Sequence, residues 1–294
     1  MASDYLTVRE AAELLRIKER RLYDLARQGT LPSARVSGRW LFPRAALERF
    51  LAGQTHGAGS APAAPRPPVI GGSNDPLLDW ALRESGADLA LLAEGSAAGI
   101  ERFLRGEATM AGTHLPPADP ARNGNVRAIA ERPEAAGCVL VGWCRRTQGL
   151  VLPKGNPRKV KRLADLAGRP LASRQPGAGS QILLEQLWAE AGLAPERLIF
   201  APGLARTQLE LGLMVLEGRA EAGLAAEAAA RSLNLDFLPL ADELFDLLMT
   251  RRDFFEPPAQ KLLAFARTPA FAAKAKALGG YDLAPLGQVR WNAP

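Results

Sequence analysis

The chain has 294 residues, 47% of them apolar, and a net charge of +6, which suits two ordinary globular domains. No stretch approaches the ~18 consecutive apolar residues of a membrane helix, and residues 1–21 lack the apolar run of a secretory signal, so we expect a cytoplasmic protein without membrane contacts. Two cysteines, Cys138 and Cys144, and two histidines are too few for a disulfide framework or a histidine-rich metal centre.

The positive charge is concentrated near the N-terminus. Residues 1–68 carry 11 Lys/Arg and 6 Asp/Glu, against 26 and 25 in the remainder. Such asymmetry is typical of a segment that binds a polyanion, although a solvated basic face also produces it.

The first 51 residues predict a small helical domain with a hairpin. Thr7 and Glu10 have the spacing of a capping box, and Gly29 is placed to end the second helix. The predicted elements are a helix over 7–15, a second helix over 18–28, a hairpin over 34–42 and a third helix over 44–51.

This order of helix, turn, basic helix, hairpin and helix, from Leu6 to Leu51, resembles the winged helix-turn-helix module of excisionase- and MerR-like proteins. The resemblance implies a double-stranded DNA operator as the partner. Arginine and lysine side chains read guanine edges or hold phosphates. The predicted DNA contacts are Lys18, Arg20 and Arg21 near base edges, and Arg27, Arg35 and Arg39 on phosphates.

A linker is expected over 52–68, where Ala, Gly, Pro and small polar residues predominate. From Val69 onward, short apolar runs alternate with amphipathic stretches, which predicts α/β units. Three strand–helix turns, at 71–76, 94–96 and 174–180, are rich in glycine or hydroxyl residues. Helix amides at such turns bind oxyanions, but the same residues also serve simply as helix caps.

Several stretches of the remaining chain form a recognisable series: 150–157, 161–166, 174–187, 207–212, 217–227 and the return segment 235–240. With the order of elements from 69 to about 290, this series resembles the type II periplasmic-binding-protein fold, as found in cytoplasmic molybdate- and tungstate-binding relatives. The resemblance implies two lobes, with the chain crossing to the second lobe near 150 and returning near 235. The predicted fold class is therefore α/β, with a winged helix-turn-helix over 1–51 and a two-lobed ligand-sensing domain over 69–294.

The resemblance also implies which residues bind the ligand. Ser73 and Ser96 would supply hydroxyls from the first lobe. The loop from Gly177 reads Gly-Ala-Gly-Ser-Gln where the family tends to have Gly-Ser-Gly-Thr-Arg, so a hydroxyl is kept and a basic residue is missing. The implied ligand is molybdate, tungstate or a molybdenum-cofactor species. The residues expected to face it from the second lobe are Arg174, Gly177, Gly179, Ser180 and Thr207.

Little in the sequence indicates catalysis. No nucleophile–base pair or metal quartet emerges, Asp75 is placed to cap a helix, and His114 either lines the cleft or is a structural histidine. We therefore predict a one-component transcriptional regulator that is not an enzyme and that binds its operator as a homodimer. The alternative is an enzyme or carrier of molybdenum-cofactor metabolism with an appended DNA-binding-like module.

Overall fold

The computed structural model describes residues 5–36, 38–54, 66–116 and 123–293. The chain divides into two compact units, Met1–Pro65 and Arg66–Pro294. The described residues of the first unit form three helices and a three-stranded sheet of order β1-β3-β2. Its elements are β1 Tyr5–Leu6, α1 Val8–Leu15, α2 Glu19–Arg27, β2 Ala34–Val36, β3 Arg39–Pro43 and α3 Arg44–Gln54.

Local signals in the sequence determine the helix boundaries of the first unit. The Thr7 side chain accepts from the Glu10 amide, and the Thr7 amide donates to Glu10 Oε2 at 2.8 Å, so the predicted capping box is confirmed. The helices then bury Leu22 and Leu47 against Phe42 of the hairpin, all three fully inaccessible to solvent. Helix, turn, helix and hairpin therefore occur in the predicted order.

The predicted linker over 52–68 is too long at both ends. Helix α3 continues to Gln54, and Arg66 donates to the carbonyl oxygens of Phe103 (2.7 Å) and Ala108 (3.1 Å) of the second unit. The Arg66 guanidinium also lies 4.4 Å from the Phe103 ring centroid. Composition could not reveal this anchor, because its partners lie some 40 residues away. The rest of the predicted linker, 55–65, lies outside the described residues.

The second unit is an α/β structure built on one ten-stranded sheet of order β5-β4-β6-β11-β7-β10-β8-β9, with β12 and β13 also paired to β7. Its strands are β4 Val69–Gly72, β5 Ala90–Ala93, β6 Met110–Thr113, β7 Cys138–Leu152, β8 Pro170–Arg174, β9 Ile199–Ala205, β10 Ala222–Ala226, β11 Asp236–Thr250, β12 Tyr281–Asp282 and β13 Val289–Asn292. Its helices are α4 Pro76–Glu84, α5 Ser96–Leu104, α6 Gly124–Arg127, α7 Gly179–Glu190, α8 Gln208–Leu216, α9 Glu227–Ser232, α10 Arg251–Phe255, α11 Pro257–Phe265 and α12 Pro269–Leu278. Single turns of 3-10 helix lie at Pro133–Ala135, Leu163–Leu166 and Pro195–Arg197.

Two long strands hold the lobes together. Strand β7 is one strand of 15 residues, and β11 pairs antiparallel with it over a similar length. The polar middle of β7 remains a strand because Arg146 and Thr147 pair with Glu243 and Asp242 of β11.

Parallel strands on either side of this pair define the lobes. Strands β4, β5 and β6 form the first lobe, and β8, β9 and β10 form the second. The predicted strand–turn–helix junctions are confirmed at β4–α4, β5–α5 and β8–α7. At the first of these, Asp75 caps α4 by accepting from the Leu78 amide at 2.8 Å, and Pro76 occupies the first helical position.

Candidate functional site

The two lobes meet where the predicted ligand-binding turns lie. Gly95, which precedes α5 in the first lobe, faces Ala178 at the start of α7 in the second lobe. Beside it, Gly179 packs so closely against His114 that an added Cβ would overlap the His114 carbonyl oxygen. The helix N-termini of α5 and α7, neither of which has a side-chain cap, therefore lie at the same junction between the lobes, which is called the cleft below.

The first lobe contributes buried hydroxyls. Ser73 and Ser96 are both enclosed, and the Ser96 hydroxyl lies 3.4 Å from that of Ser73. The backbone amide of His114 donates to Ser96 Oγ at 3.0 Å. Two of the predicted ligand residues thus lie side by side at the junctions β4–α4 and β5–α5.

Arg174, at the end of β8, is a buried cation. It is 4% exposed, and its guanidinium donates to the carbonyl oxygens of Ala205 (3.0 Å) and Arg206 (2.8 Å). No carboxylate of the described residues lies within ion-pair distance of it. Burial, together with the nearby charge of Arg146, lowers the pKa of Arg174 to about 10, so the group is still charged at neutral pH. A buried charge without a counter-charge is costly, and an anion in the cleft would offset that cost.

The remaining predicted residues of the second lobe differ in their environments. Ser180, in the first turn of α7, is buried, and its hydroxyl has no hydrogen-bond partner among the described residues. Gly177 lies in the adjoining loop, against Ala97 of the first lobe. Thr207 is only half-buried and caps α8 by accepting from the Glu210 amide at 3.0 Å.

A charged network lies at the base of the cleft, and the sequence did not reveal it. Arg146 of β7 donates to Glu243 Oε1 (2.6 Å) and to Asp75 Oδ2 (2.7 Å). Asp75 also accepts from the Tyr281 hydroxyl at 2.8 Å, and Glu243 lies 2.8 Å from Nδ1 of His114. The network joins residues 97 and 71 positions apart, so only the pairing of β7 with β11 brings it together.

The protonation states in this network follow from its surroundings. Burial alone would raise the pKa of Glu243, but the charges of His114 and Arg146 outweigh it and lower that pKa to about 2. Burial lowers the pKa of His114 below its ordinary value, against the attraction of Glu243. His114 is therefore a satisfied histidine that also lines the cleft.

Two glutamines complete the lining, and the sequence analysis missed both. Gln148 of β7 donates to Glu243 Oε1 at 2.7 Å, and Gln208 of α8 accepts from the Ala226 amide at 2.8 Å. Both are fully buried, and each has one amide atom without a partner. For Gln208, the available sequence signal was its position directly after the capping residue Thr207.

The six predicted DNA-contacting residues lie on the surface of the first unit. Lys18 is the N-cap of α2, and the arginines lie on α2 and the hairpin. All six are exposed, and none forms an ion pair within the described residues. The Arg35 guanidinium lies 5.8 Å from the ring centroid of Trp40, which packs on the domain core. The set is Lys18, Arg20, Arg21, Arg27, Arg35 and Arg39.

Among the described residues, no group of three or more His, Cys, Asp and Glu side chains is arranged to hold a metal ion. Within that same part of the chain, no helix has both the length and the apolar character needed to span a bilayer.

Comparison with known proteins agrees with this architecture. The chain is 25% identical over 300 residues to the uncharacterized protein YvgK of Bacillus subtilis (strain 168), a match that covers 96% of each chain. A second relative, from the 5' region of a 2Fe-2S ferredoxin gene of Clostridium pasteurianum, is 27% identical and covers 28% of this chain and 74% of its own length.

A solved structure shares the fold of the second unit. It is described as a phosphate ABC transporter substrate-binding protein with bound phosphate, from Clostridium perfringens. It covers 70% of this chain and 96% of its own, with a TM-score of 0.52 and 13% identity. The family profile for a helix-turn-helix domain matches residues 5–55, and that for the PBP superfamily domain matches residues 80–267, more than half of the chain. The chain therefore belongs to the PBP superfamily and carries a helix-turn-helix domain in its N-terminal unit.

Proposed function

We propose that this protein is a transcriptional regulator that binds DNA through its first unit and senses a small anion through its second. The observation that carries the proposal is Arg174, a buried guanidinium for which the described residues provide no carboxylate. The unpartnered hydroxyl of Ser180 and the uncapped N-terminus of α7 lie in the same region of the cleft. Cation, hydroxyl and helix amides are the donors that hold anions in proteins.

The anion would contact both lobes. On the first lobe, the anion would contact Ser73 and Ser96. A ligand that touches two lobes at once favours their closure by its differential affinity for the closed state. The contacts proposed on the second lobe are Arg174, Gly177, Gly179, Ser180 and Thr207.

The family resemblance favours molybdate, tungstate or a molybdenum-cofactor species as the ligand. The phosphate bound to the Clostridium perfringens protein adds a further oxyanion to be tested. Catalysis is not part of the proposal, because Asp75, His114 and Glu243 are already engaged in ion pairs and hydrogen bonds with each other and with Arg146.

On the first unit, the exposed residues Lys18, Arg20 and Arg21 would read the operator, and Arg27, Arg35 and Arg39 would hold its phosphates. Two copies of the chain would bind a two-fold operator as a homodimer in the cytoplasm, and lobe closure would change the separation of their DNA-binding units.

Titration of the full chain tests the proposal. Calorimetry with molybdate, tungstate, phosphate and sulfate is expected to show saturable binding of at least one of them. An operator fragment, selected from genomic DNA with the same protein, is then expected to change its affinity when that anion is added. If no small anion bound, the sensing role would be wrong; if no fragment bound in a salt-dependent manner, the regulatory role would be wrong.

A further inference from the structure

Three buried polar atoms at the cleft have no hydrogen-bond partner within the described residues: Ser180 Oγ, Gln208 Nε2 and Gln148 Oε1. All three residues are at most 1% exposed. Leaving such atoms unpaired is destabilising, and folded proteins rarely leave several of them at one place. Ser180 lies in the first turn of α7 beside Gln181, which accepts from the Arg174 amide at 3.0 Å. Gln208 lies two residues after Arg206, whose carbonyl oxygen accepts from the Arg174 guanidinium. A ligand bound beside Arg174 would complete these unpaired atoms.

The orientation of the Gln148 amide is determined by its neighbour. Its Nε2 donates to Glu243 Oε1 at 2.7 Å. An ionised carboxylate only accepts hydrogen bonds, and the ion pair with Arg146 keeps Glu243 ionised. The amide nitrogen therefore has to face Glu243, and the carbonyl oxygen of Gln148 is left as a free acceptor.

The orientation of the Gln208 amide is determined in the same way, with the opposite result. Its Oε1 accepts from the Ala226 backbone amide at 2.8 Å, so its Nε2 is left as a free donor. Ala226 stands directly opposite Gln148 in the pairing of β10 with β7. The free donor of Gln208 and the free acceptor of Gln148 therefore lie at the same point along the sheet.

We infer that the effector is a small anion that carries its own O–H or N–H group, which it donates to Gln148 Oε1 while it accepts from Arg174, Ser180 and Gln208. This inference rests on the anion-sensing function proposed above and narrows its ligand class. Protonated oxyanions and hydroxycarboxylates satisfy both requirements. Molybdate, tungstate and sulfate carry no hydrogen at neutral pH and leave Gln148 unpaired.

Two pairs of anions of matched size test the inference: phosphate against sulfate, and glycolate against acetate, with molybdate as a fifth probe. In each pair only the first member has an O–H group at pH 6.5. Calorimetric titration of the full chain is expected to show the hydroxylated member binding at least about tenfold more tightly in at least one pair. Molybdate is expected to bind no more tightly than sulfate.

The variant Gln148→Met keeps the length of the side chain and removes the acceptor. We expect it to reduce the preference within the pair to less than about threefold, mainly by weakening the hydroxylated anion. Gln260→Met, at an exposed glutamine of α11, is the matched control and should leave the preference unchanged. The wild-type comparison decides the question alone if Gln148→Met does not fold.

The outcomes separate this inference from the proposed function. The inference would be overturned if the wild type bound molybdate or sulfate more tightly than the hydroxylated anions. It would also be overturned if the preference for the hydroxylated anion survived in Gln148→Met. If Arg174→Gln then abolished that binding, the anion-sensing function would stand without it. If the wild type bound none of the five probes, nor tungstate, both would be wrong.

Discussion

Gly179 of the second lobe lies directly against His114 of the first, and a Cβ on Gly179 would overlap the His114 carbonyl oxygen and stand 2.7 Å from Nδ1 of the ring. His114 follows β6 and Gly179 begins α7, so this contact brings together one junction from each lobe. Only glycine allows the approach, because every other residue adds the atom that collides. The closed cleft therefore depends on the absence of one methyl group.

Replacing Gly179 by alanine is expected to hold the lobes apart. The backbone of Gly179 is helical, so alanine is tolerated locally and the lobe itself should stay folded. We expect the affinity for the effector anion to fall about tenfold or more, and small-angle scattering to show no compaction when the anion is added.

Ala189→Ser, on the exposed side of the same helix, serves as the control and should bind the anion normally. Thermal unfolding of both variants checks that the second lobe is intact. Wild-type affinity in Gly179→Ala would mean that the contact with His114 does not govern closure.

Arg174→Gln is expected to abolish anion binding without destabilising the protein. Glutamine retains a donor for the neighbouring carbonyl oxygens but removes the buried charge, whose desolvation is a cost to the empty protein. We expect affinity to fall at least about thirtyfold, with an unfolding free energy equal to or higher than that of the wild type. Titration calorimetry and urea denaturation measure the two quantities.

Arg169→Gln, on the approach to the same strand, provides the matched control. Arg169 pairs with Glu221 at 2.9 Å and is far more exposed than Arg174. Its loss should leave the anion affinity within about twofold of the wild type. If both variants bound equally well, Arg174 would have only a structural role.

The sequence predicted those parts of the fold that local signals determine. The capping box at Thr7, the cap at Asp75 and the three strand–turn–helix junctions depend on residues close together in the chain, and all are present. The length of β7 escaped prediction because its polar centre is stabilised by β11, almost a hundred residues away. The anchor at Arg66 escaped it for the same reason.

The candidate site could be predicted only in part. The turns at 71–76, 94–96 and 174–180 predicted the helix starts, and the family resemblance implied Ser73, Ser96 and Ser180 as the ligand residues beside them. Asp75 was expected only as a helix cap, but it also binds Arg146 through its second carboxylate oxygen. No periodicity or spacing reveals such a partner, because the pairing exists only once the sheet has formed.

The DNA-binding hypothesis predicts different effects for two groups of arginines. Arg20→Ala, near the predicted base edges, should weaken operator binding by about 1–3 kcal/mol and relax its sequence preference. Arg27→Ala, on a predicted phosphate contact, should weaken all sequences alike and reduce the slope of log affinity against log salt by about 1. Fluorescence anisotropy at several salt concentrations distinguishes the two.

Arg219→Ala removes an exposed arginine of the second unit and should leave DNA binding unchanged. Equal salt slopes in the wild type and all three variants would count against the assignment of α2 as the recognition helix.

Arg146→Met is expected to make the stability of the second unit fall as the pH rises. In the wild type the pKa of Glu243 is lowered to about 2 from its ordinary value of 4.5. The ionised Glu243 therefore adds to the free energy of unfolding above about pH 4.5, and this contribution is lost as the pH falls toward 2. Without the guanidinium, two buried carboxylates, Asp75 and Glu243, lose their counter-charge, which costs about 3–5 kcal/mol. Loss of the Arg146 charge raises the pKa of Glu243 above its wild-type value, so the deficit is largest at neutral pH and shrinks where this carboxyl group becomes protonated. Urea denaturation at pH 7.5 and pH 4.5 measures the difference, with Arg145→Met, at the preceding and exposed position of β7, as the control. A deficit of the same size at both pH values would show that Arg146 stabilises the cleft by packing alone.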